Sequence, residues 1–249
     1  DESYTLKNLI ELAGKNSEPS FIRLCYSYLP ITFGRRHGDP SRPWNKFEII
    51  VKDKFNKQRL YYEGNWRDIF QNWEALSISY PLALESMLNN FINNCTADGF
   101  NPYRVTSEGI DWDILEPDNS WSYIGYWNDH QIIYLLKFLE NLSNINNDAL
   151  LNFLEMDIFS YANVPYEIKD IDQLIEDPKQ TINFDFGKND KINQLIEDIG
   201  TDAKYILKSD NQVYHVNLCE KLLVMALAKI SNFIPGGGIW LNTQRPEWN

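Results

Sequence analysis

Residues 64–81 read GNWRDIFQNWEALSISYP, and the fold class turns on what this stretch is. Ile69, Phe70, Trp73 and Leu76 recur at spacings of three and four, which places them on one face of an α-helix. Arg67, Gln71 and Glu74 stand at i, i+4 and i+7 and make a second row, with Asp68 and Asn72 beside it. A solvated helix does not need Trp66 and Trp73, and a core helix does not carry so many polar groups. A two-faced helix is therefore expected, aromatic toward a core and polar toward a ligand. The plain alternative is an exposed face with an internal salt bridge. The preceding YYEGN reads as a strand end, so Arg67 and Asp68 fall in the first helical turn. Unpaired backbone N–H groups there can bind oxyanions or hydroxyls. An arginine in that turn opposes the helix dipole, which asks for a reason other than helix stability.

Outward from this stretch the chain reads mainly helical. Leu6, Leu9, Ile10 and Leu12 predict a first helix. Residues 34–49 read as a long loop, and KFEIIVKD and QRLYYEGN as strands of a hairpin about KFNK. Together these make a loop and hairpin over 35–65. Pro81 to Asn94 is helical by its Leu82, Leu84, Leu88, Phe91 and Ile92. A long irregular stretch rich in Gly, Pro and Trp follows, to Trp127. An irregular segment of that length within a compact domain is expected to be functional. Helix resumes at NDHQIIYLLKFLENL, with Asn128 as N-cap and Gln131 placed for a capping box. Residues 150–206 are mixed and acidic, and read either as an insertion or as part of the wall of the domain. A helix is predicted across NQVYHVNLCEKLLVMALAKISNF, stopped by Pro235 and a glycine run.

The 249 residues hold 43% hydrophobic and 14% aromatic side chains, enough for one domain core and too many for a disordered chain. A net charge of −12 argues against nucleic acid and against an acidic membrane surface. Cys25, Cys95 and Cys219 are odd in number and far apart, so they are expected as small buried residues rather than a disulfide framework or metal pair. No apolar run approaches a membrane span and no signal peptide is visible. The cytoplasm is the default expectation. His37, His130 and His215 lack metal-ligand spacing, and no cofactor or metal is expected; His215, between Val213 and Val216, reads as structural. Nucleotide-binding, serine-hydrolase and zinc-protease signatures are missing.

Three clusters share one composition. The first is the 64–81 helix. The second, WSYIGYWNDHQ, sets Trp121, Tyr123, Tyr126 and Trp127 before Asn128, Asp129 and His130 at a helix start. The third, GGGIWLNTQRPEWN, holds Trp240, Asn242, Gln244, Arg245, Glu247 and Trp248. Aromatic faces stack on the C–H faces of sugars, and carboxylates and amides pair with hydroxyls. Together the clusters predict a carbohydrate cleft.

In this order the three segments resemble the (α/α)6-barrel catalytic domain of the cellobiose phosphorylase-like inverting disaccharide phosphorylases, glycoside hydrolase family 94. Arg67, Asp68, Gln71 and Asn72 resemble that family's Arg-Asp-x-x-Gln-Asp motif. Asn128, Asp129 and His130 in WNDHQIIYLL resemble its Ser-Asp-Asp-His motif, and Trp248 and Asn249 its Trp-Asn-Asp motif. The resemblance implies a partial (α/α)6 barrel, a six-hairpin glycosidase-like toroid, over residues 1–249 as a single domain with a small hairpin and long loops. The remainder of the same polypeptide would complete the toroid. It implies that Arg67 binds phosphate or sugar hydroxyls, that Asp68 and Asp129 hold the sugar, and that Gln71, Trp127, His130, Trp240, Gln244, Arg245 and Trp248 line the substrate. The family's general acid would follow Asn249, with Glu247 as a possible substitute.

The implied activity is an inverting single displacement on a di- or oligosaccharide. One acid protonates the glycosidic oxygen while inorganic phosphate, as co-substrate, or water attacks the opposite face. Phosphate needs no base, only cations and N–H donors. Hydrolysis needs a second carboxylate, for which Glu63, Glu74, Asp111 and Glu247 are the candidates. The alternatives are a saccharide-binding or scaffolding portion inactive alone, and a helical interaction module with no sugar site.

Overall fold

The structure, a computed structural model, describes residues 4–31, 33–34, 50–102, 104–119, 122, 124–127, 131–177 and 181–231; of residues 33, 34, 67, 68, 127, 131 and 231 the backbone alone is described. The first half contains α1 (Leu6–Ala13), α2 (Pro19–Ser27), β1 (Phe33–Gly34), β2 (Tyr62–Asn65), α3 (Trp66–Ser79), α4 (Leu84–Asn93), β3 (Asn101–Pro102), β4 (Arg104–Thr106), β5 (Gly109–Ile110) and β6 (Tyr126–Trp127). The second contains α5 (Gln131–Ile145), α6 (Asn147–Glu155), β7 (Tyr166–Ile168), α7 (Ile171–Glu176), β8 (Ile182–Phe184), α8 (Phe186–Ile199) and α9 (Leu218–Ser231). The chain is mainly helical, with short strands between the helices.

Local chemistry sets several helix starts. The Thr5 hydroxyl accepts from the Asn8 N–H at 3.2 Å and closes a capping box on α1. Glu18 caps α2 by accepting from the N–H groups of Ser20 and Phe21, ahead of Pro19 in the first turn. Asp185 accepts from the Lys188 N–H and starts α8. Each replaces a bond the first turn cannot make within itself.

α4 sits at the centre. Every residue of it except Glu85 is buried, and it packs against α2 on one side and α5 on another. A helix buried all round must satisfy its own polar side chains. Ser27 and the Asn93 amide both donate to Asn89 Oδ1, at 2.8 and 2.7 Å, and Asn93 Oδ1 accepts from the Ser160 N–H at 2.8 Å. Asn90 donates to the Ser27 and Ser86 carbonyls, both at 2.8 Å.

Around α4 lies an apolar core of Trp66, Phe70, Trp73, Leu88, Phe91, Phe138 and Phe153. A second core joins Phe100, Trp112, Tyr126, Tyr166, Ile182 and Ile192. It packs the 100–126 stretch against β7, β8 and α8: the Trp112 indole donates to Asn189 at 3.1 Å and the Tyr166 hydroxyl to the Asp113 carbonyl at 2.8 Å. Residues 150–206 therefore share a core with the irregular stretch before α5.

Strand pairing departs from a simple hairpin over 35–65. A tight turn is present, closed by the Lys52–Gln58 bridge. β2, however, pairs in parallel with β1 and antiparallel with β4, while β4 continues to β5. The stretch read as irregular thus supplies β3 to β6, pieces too short to show an alternating pattern.

The last helix starts at Leu218 rather than near Asn211, because Val213 and Val216 are held in bridges to Leu207 and Phe159. Cys25 and Cys95 are buried as expected, but Cys219 is exposed, at the start of α9. The 35–49 loop and the Asn128 cap lie outside the described residues.

Candidate functional site

The two tryptophans of the 64–81 stretch are core residues. Trp66 and Trp73 are completely buried and meet edge to face at 5.8 Å; Trp66 meets Phe91 of α4 at 5.2 Å and Trp73 meets Tyr62 of β2 at 5.7 Å. Their indole N–H groups find no acceptor among the described residues, a cost that the aromatic packing offsets. Phe70 stacks on Tyr134 and on Phe138 of α5, both at 4.7 Å. The expected apolar stripe is therefore real, and its target is α4 and α5.

α3 and α5 run in the same direction. Their contacts advance together along both helices, from Phe70–Tyr134 to Glu74–Lys137, where the ammonium meets the carboxylate at 2.8 Å. At the far end, Asn146, just past α5, donates to Glu85 at the start of α4 at 2.9 Å. α3 reaches that same point through the turn Pro81–Ala83. The first turns of α3 and α5 consequently lie at one end of the helical layer.

Strands fix both entrances. Asn65, the last residue before α3, pairs with Arg104. Trp127, the end of β6 before α5, pairs with Asn101. Positions 101 and 104 are three residues apart, a reach of at most about 11 Å. One short stretch of chain thus holds the approaches to both helices.

Arg67 and Asp68 fall in the first turn of α3, by their backbone, and Trp127 in β6; their side chains lie outside the described residues. Asp129, His130, Trp240, Gln244, Arg245, Glu247 and Trp248 also lie outside them. Gln71 and its neighbour Asn72 are exposed on α3. Glu74 is paired with Lys137 of α5.

Arg104, unremarked in the sequence, is the hub of a charged cluster at this end. Its guanidinium pairs with Glu63, which is buried, and with Asp111 at 2.5 Å. Tyr61 donates to Glu63, and Lys204 approaches Asp111 at 3.8 Å. Burial opposes the Arg104 charge, but Asp111 and Glu63 outweigh it and hold the guanidinium above its ordinary value. Three of the carboxylates expected as candidate bases, Glu63, Asp111 and Glu74, are therefore ion-paired.

Beneath this end the last turn of α4 is tied down by a buried lysine. Lys221 of α9, with no exposed surface, donates to the Cys95 carbonyl at 2.9 Å and the Ser160 carbonyl at 2.6 Å, and lies 3.7 Å from the Tyr161 ring centre. Burial pushes its ammonium down to about 8, against the pull of Cys95 and Glu220. Sequence alone showed only a lysine beside two leucines. Tyr126, buried at the start of β6, has its hydroxyl pushed well up by burial and by Asp98. His215 is brought down to about 4 by burial and by Arg23, in keeping with a structural residue.

Among the described residues no cluster of His, Cys, Asp and Glu could hold a metal ion, and no helix is long and apolar enough to cross a membrane. A scan against protein-family models finds no match for this chain, and a search of the curated proteins returns none.

Proposed function

We propose that this chain is the portion of a carbohydrate-active enzyme that holds a sugar beside its scissile glycosidic bond, in an inverting single displacement on a di- or oligosaccharide. One observation carries the reading: the first turns of parallel α3 and α5 lie together, with both approaches held on the 101–104 stretch. In the resemblance to the disaccharide phosphorylases, Arg67 and Asp68 belong to one such turn and Asp129 and His130 to the approach to the other. The (α/α)6 toroid is part of the same proposal, with α3 and α5 as its lining helices.

Phosphate is the nucleophile the residues suit best. A phosphate oxygen attacks the anomeric carbon while an acid protonates the departing oxygen, so the protein need supply only cations and N–H donors. Arg67 and the N–H groups of the first turn of α3 fill that role. A hydrolase would need a carboxylate base, and Glu63, Asp111 and Glu74 are each held by a cation. That same pairing favours the second reading, a saccharide-binding or scaffolding portion without turnover of its own.

The test incubates the full-length polypeptide with α- and β-linked disaccharides, with and without inorganic phosphate. Sugar 1-phosphate formed only with phosphate, and lost in Arg67→Ala, is the expected result. Free sugar in both conditions makes the protein a hydrolase. Saccharide binding without any product supports the second reading.

A further inference from the structure

Two surface elements outside the candidate site carry opposite charge and matching apolar side chains. The first is the turn at 51–59, VKDKFNKQR, with four bases against one acid. It is a built structure. Lys52 bridges Gln58, the Asp53 N–H donates to the Lys57 carbonyl at 2.9 Å, and Asn56 takes a positive φ of 62° at the tip. The lone acid, Asp53, is used internally: its carboxylate accepts from the N–H groups of Phe55 and Lys57 at 2.8 and 2.9 Å. What the turn presents outward is therefore basic. Lys52, Lys54 and Lys57 are exposed, and Arg59 reaches Glu108 at 3.4 Å. At the tip stands Phe55, 71% exposed, with the Lys54 ammonium 5.2 Å from its ring centre.

The second element is α7 with its flanks. Residues 170–177, DIDQLIED, hold four acids and no base. Leu174 turns inward and is buried, while Ile171 and Ile175, one helical turn apart, are 59% and 71% exposed. Asp170, Asp172 and Glu176 surround them and are exposed, as is Glu167 on β7.

We infer that the 51–59 turn of one molecule docks on the α7 face of a second copy of this chain, Phe55 entering between Ile171 and Ile175 while the lysines meet the surrounding carboxylates. Charge complementarity selects this occupant. A chain of net charge −12 repels nucleic acid, acidic membranes and most of its own surface. The basic turn against the acidic helix is the approach at which two copies attract rather than repel. The preformed turn loses little conformational freedom on docking, which favours binding. Each copy carries both elements, so a two-fold arrangement would make the contact twice. The inference is independent of the sugar chemistry proposed above.

Charge exchange tests it, read by sedimentation equilibrium of the full-length protein at low and high salt. The wild type is expected to self-associate reversibly, more weakly at high salt. Lys54→Glu with Lys57→Glu, or Asp172→Lys with Glu176→Lys, should each weaken association by about tenfold or more. Mixing the two reversed proteins should restore it, since each retains the element its partner has lost. Phe55→Ser should weaken association at both salt concentrations. Circular dichroism confirms that each variant folds. A wild type that stays monomeric at every concentration overturns the inference. So does a mixture no tighter than its components, or a turn that binds a sulfated polysaccharide resin without self-association.

Discussion

Phe70 of α3 and Tyr134 of α5 stack with ring centres 4.7 Å apart and planes 22° apart, and Phe70 stacks equally closely on Phe138 one turn further along. This is the contact that aligns the first turns of the two helices. Phe70→Ala should lower stability by about 3–5 kcal/mol, the range for losing a buried phenylalanine. A double-mutant cycle with Tyr134→Ala should return a coupling of about 0.5–1.5 kcal/mol. Urea unfolding measures both. A loss below about 1 kcal/mol would mean that the helices are aligned by something else.

Gly99, past the end of α4, lies against α9. Its φ is +83°, and an added Cβ would lie 2.5 Å from the Ala228 Cβ and 2.9 Å from the Val224 carbonyl oxygen. Gly99→Ala should therefore cost about 2–4 kcal/mol, combining backbone strain with overpacking. Adding Ala228→Gly should recover only part of this, because the Val224 oxygen and the positive φ remain. Thermal unfolding of the three proteins distinguishes strain from the clash alone.

Arg104 holds the buried Glu63. Arg104→Met should be strongly destabilising, by about 3 kcal/mol or more, because it takes the guanidinium from a carboxylate buried away from water. Combining it with Glu63→Gln should recover much of the loss. If the double variant is as unstable as the single one, the pair is not what holds β2 beside β4.

Lys221 gives stability a pH dependence of known sign. Its ammonium falls from an ordinary 10.5 to about 8 in the folded protein. Between these values the unfolded chain keeps a proton that the folded protein has lost. The unfolded state therefore binds more protons there, so stability rises with pH from about 8 to 10.5, by at most about 1.4 kcal/mol per pH unit. Below about 8 the buried charge is a standing cost. Lys221→Met should remove that slope, while lowering stability overall, because the Ser160 carbonyl loses the Lys221 ammonium and the Cys95 carbonyl is left to the Ala162 N–H. Parallel denaturant series at several pH values measure it, and equal slopes in both proteins would contradict it.

Helices with local signals were legible in the sequence, and relationships across the chain were not. The Ile69, Phe70, Trp73 and Leu76 stripe marked α3 and its buried face correctly, since helical periodicity is carried by neighbours. The same periodicity placed α9 too early, because Val213 and Val216 look helical in a row of apolar residues but pair with Leu207 and Phe159. Arg104 and Lys221 escaped notice for a related reason. Their partners Glu63 and Cys95 lie 41 and 126 residues away, and nothing local tells a buried cation from a solvated one. The polar row of α3 looks like one set in the sequence, yet Glu74 is paired with Lys137 of α5 while Gln71 is exposed. Composition could suggest a sugar site but not which polar groups were already engaged with one another.

The most direct test of the proposed chemistry is proton NMR of the full-length protein turning over a disaccharide in phosphate, observed at the anomeric resonances from the first turnovers. The expected result is a sugar 1-phosphate of anomeric configuration opposite to that of the bond broken, absent when phosphate is omitted and absent in Arg67→Ala. Product with retained configuration, or an unchanged spectrum across α- and β-linked disaccharides with and without phosphate, would contradict the assignment.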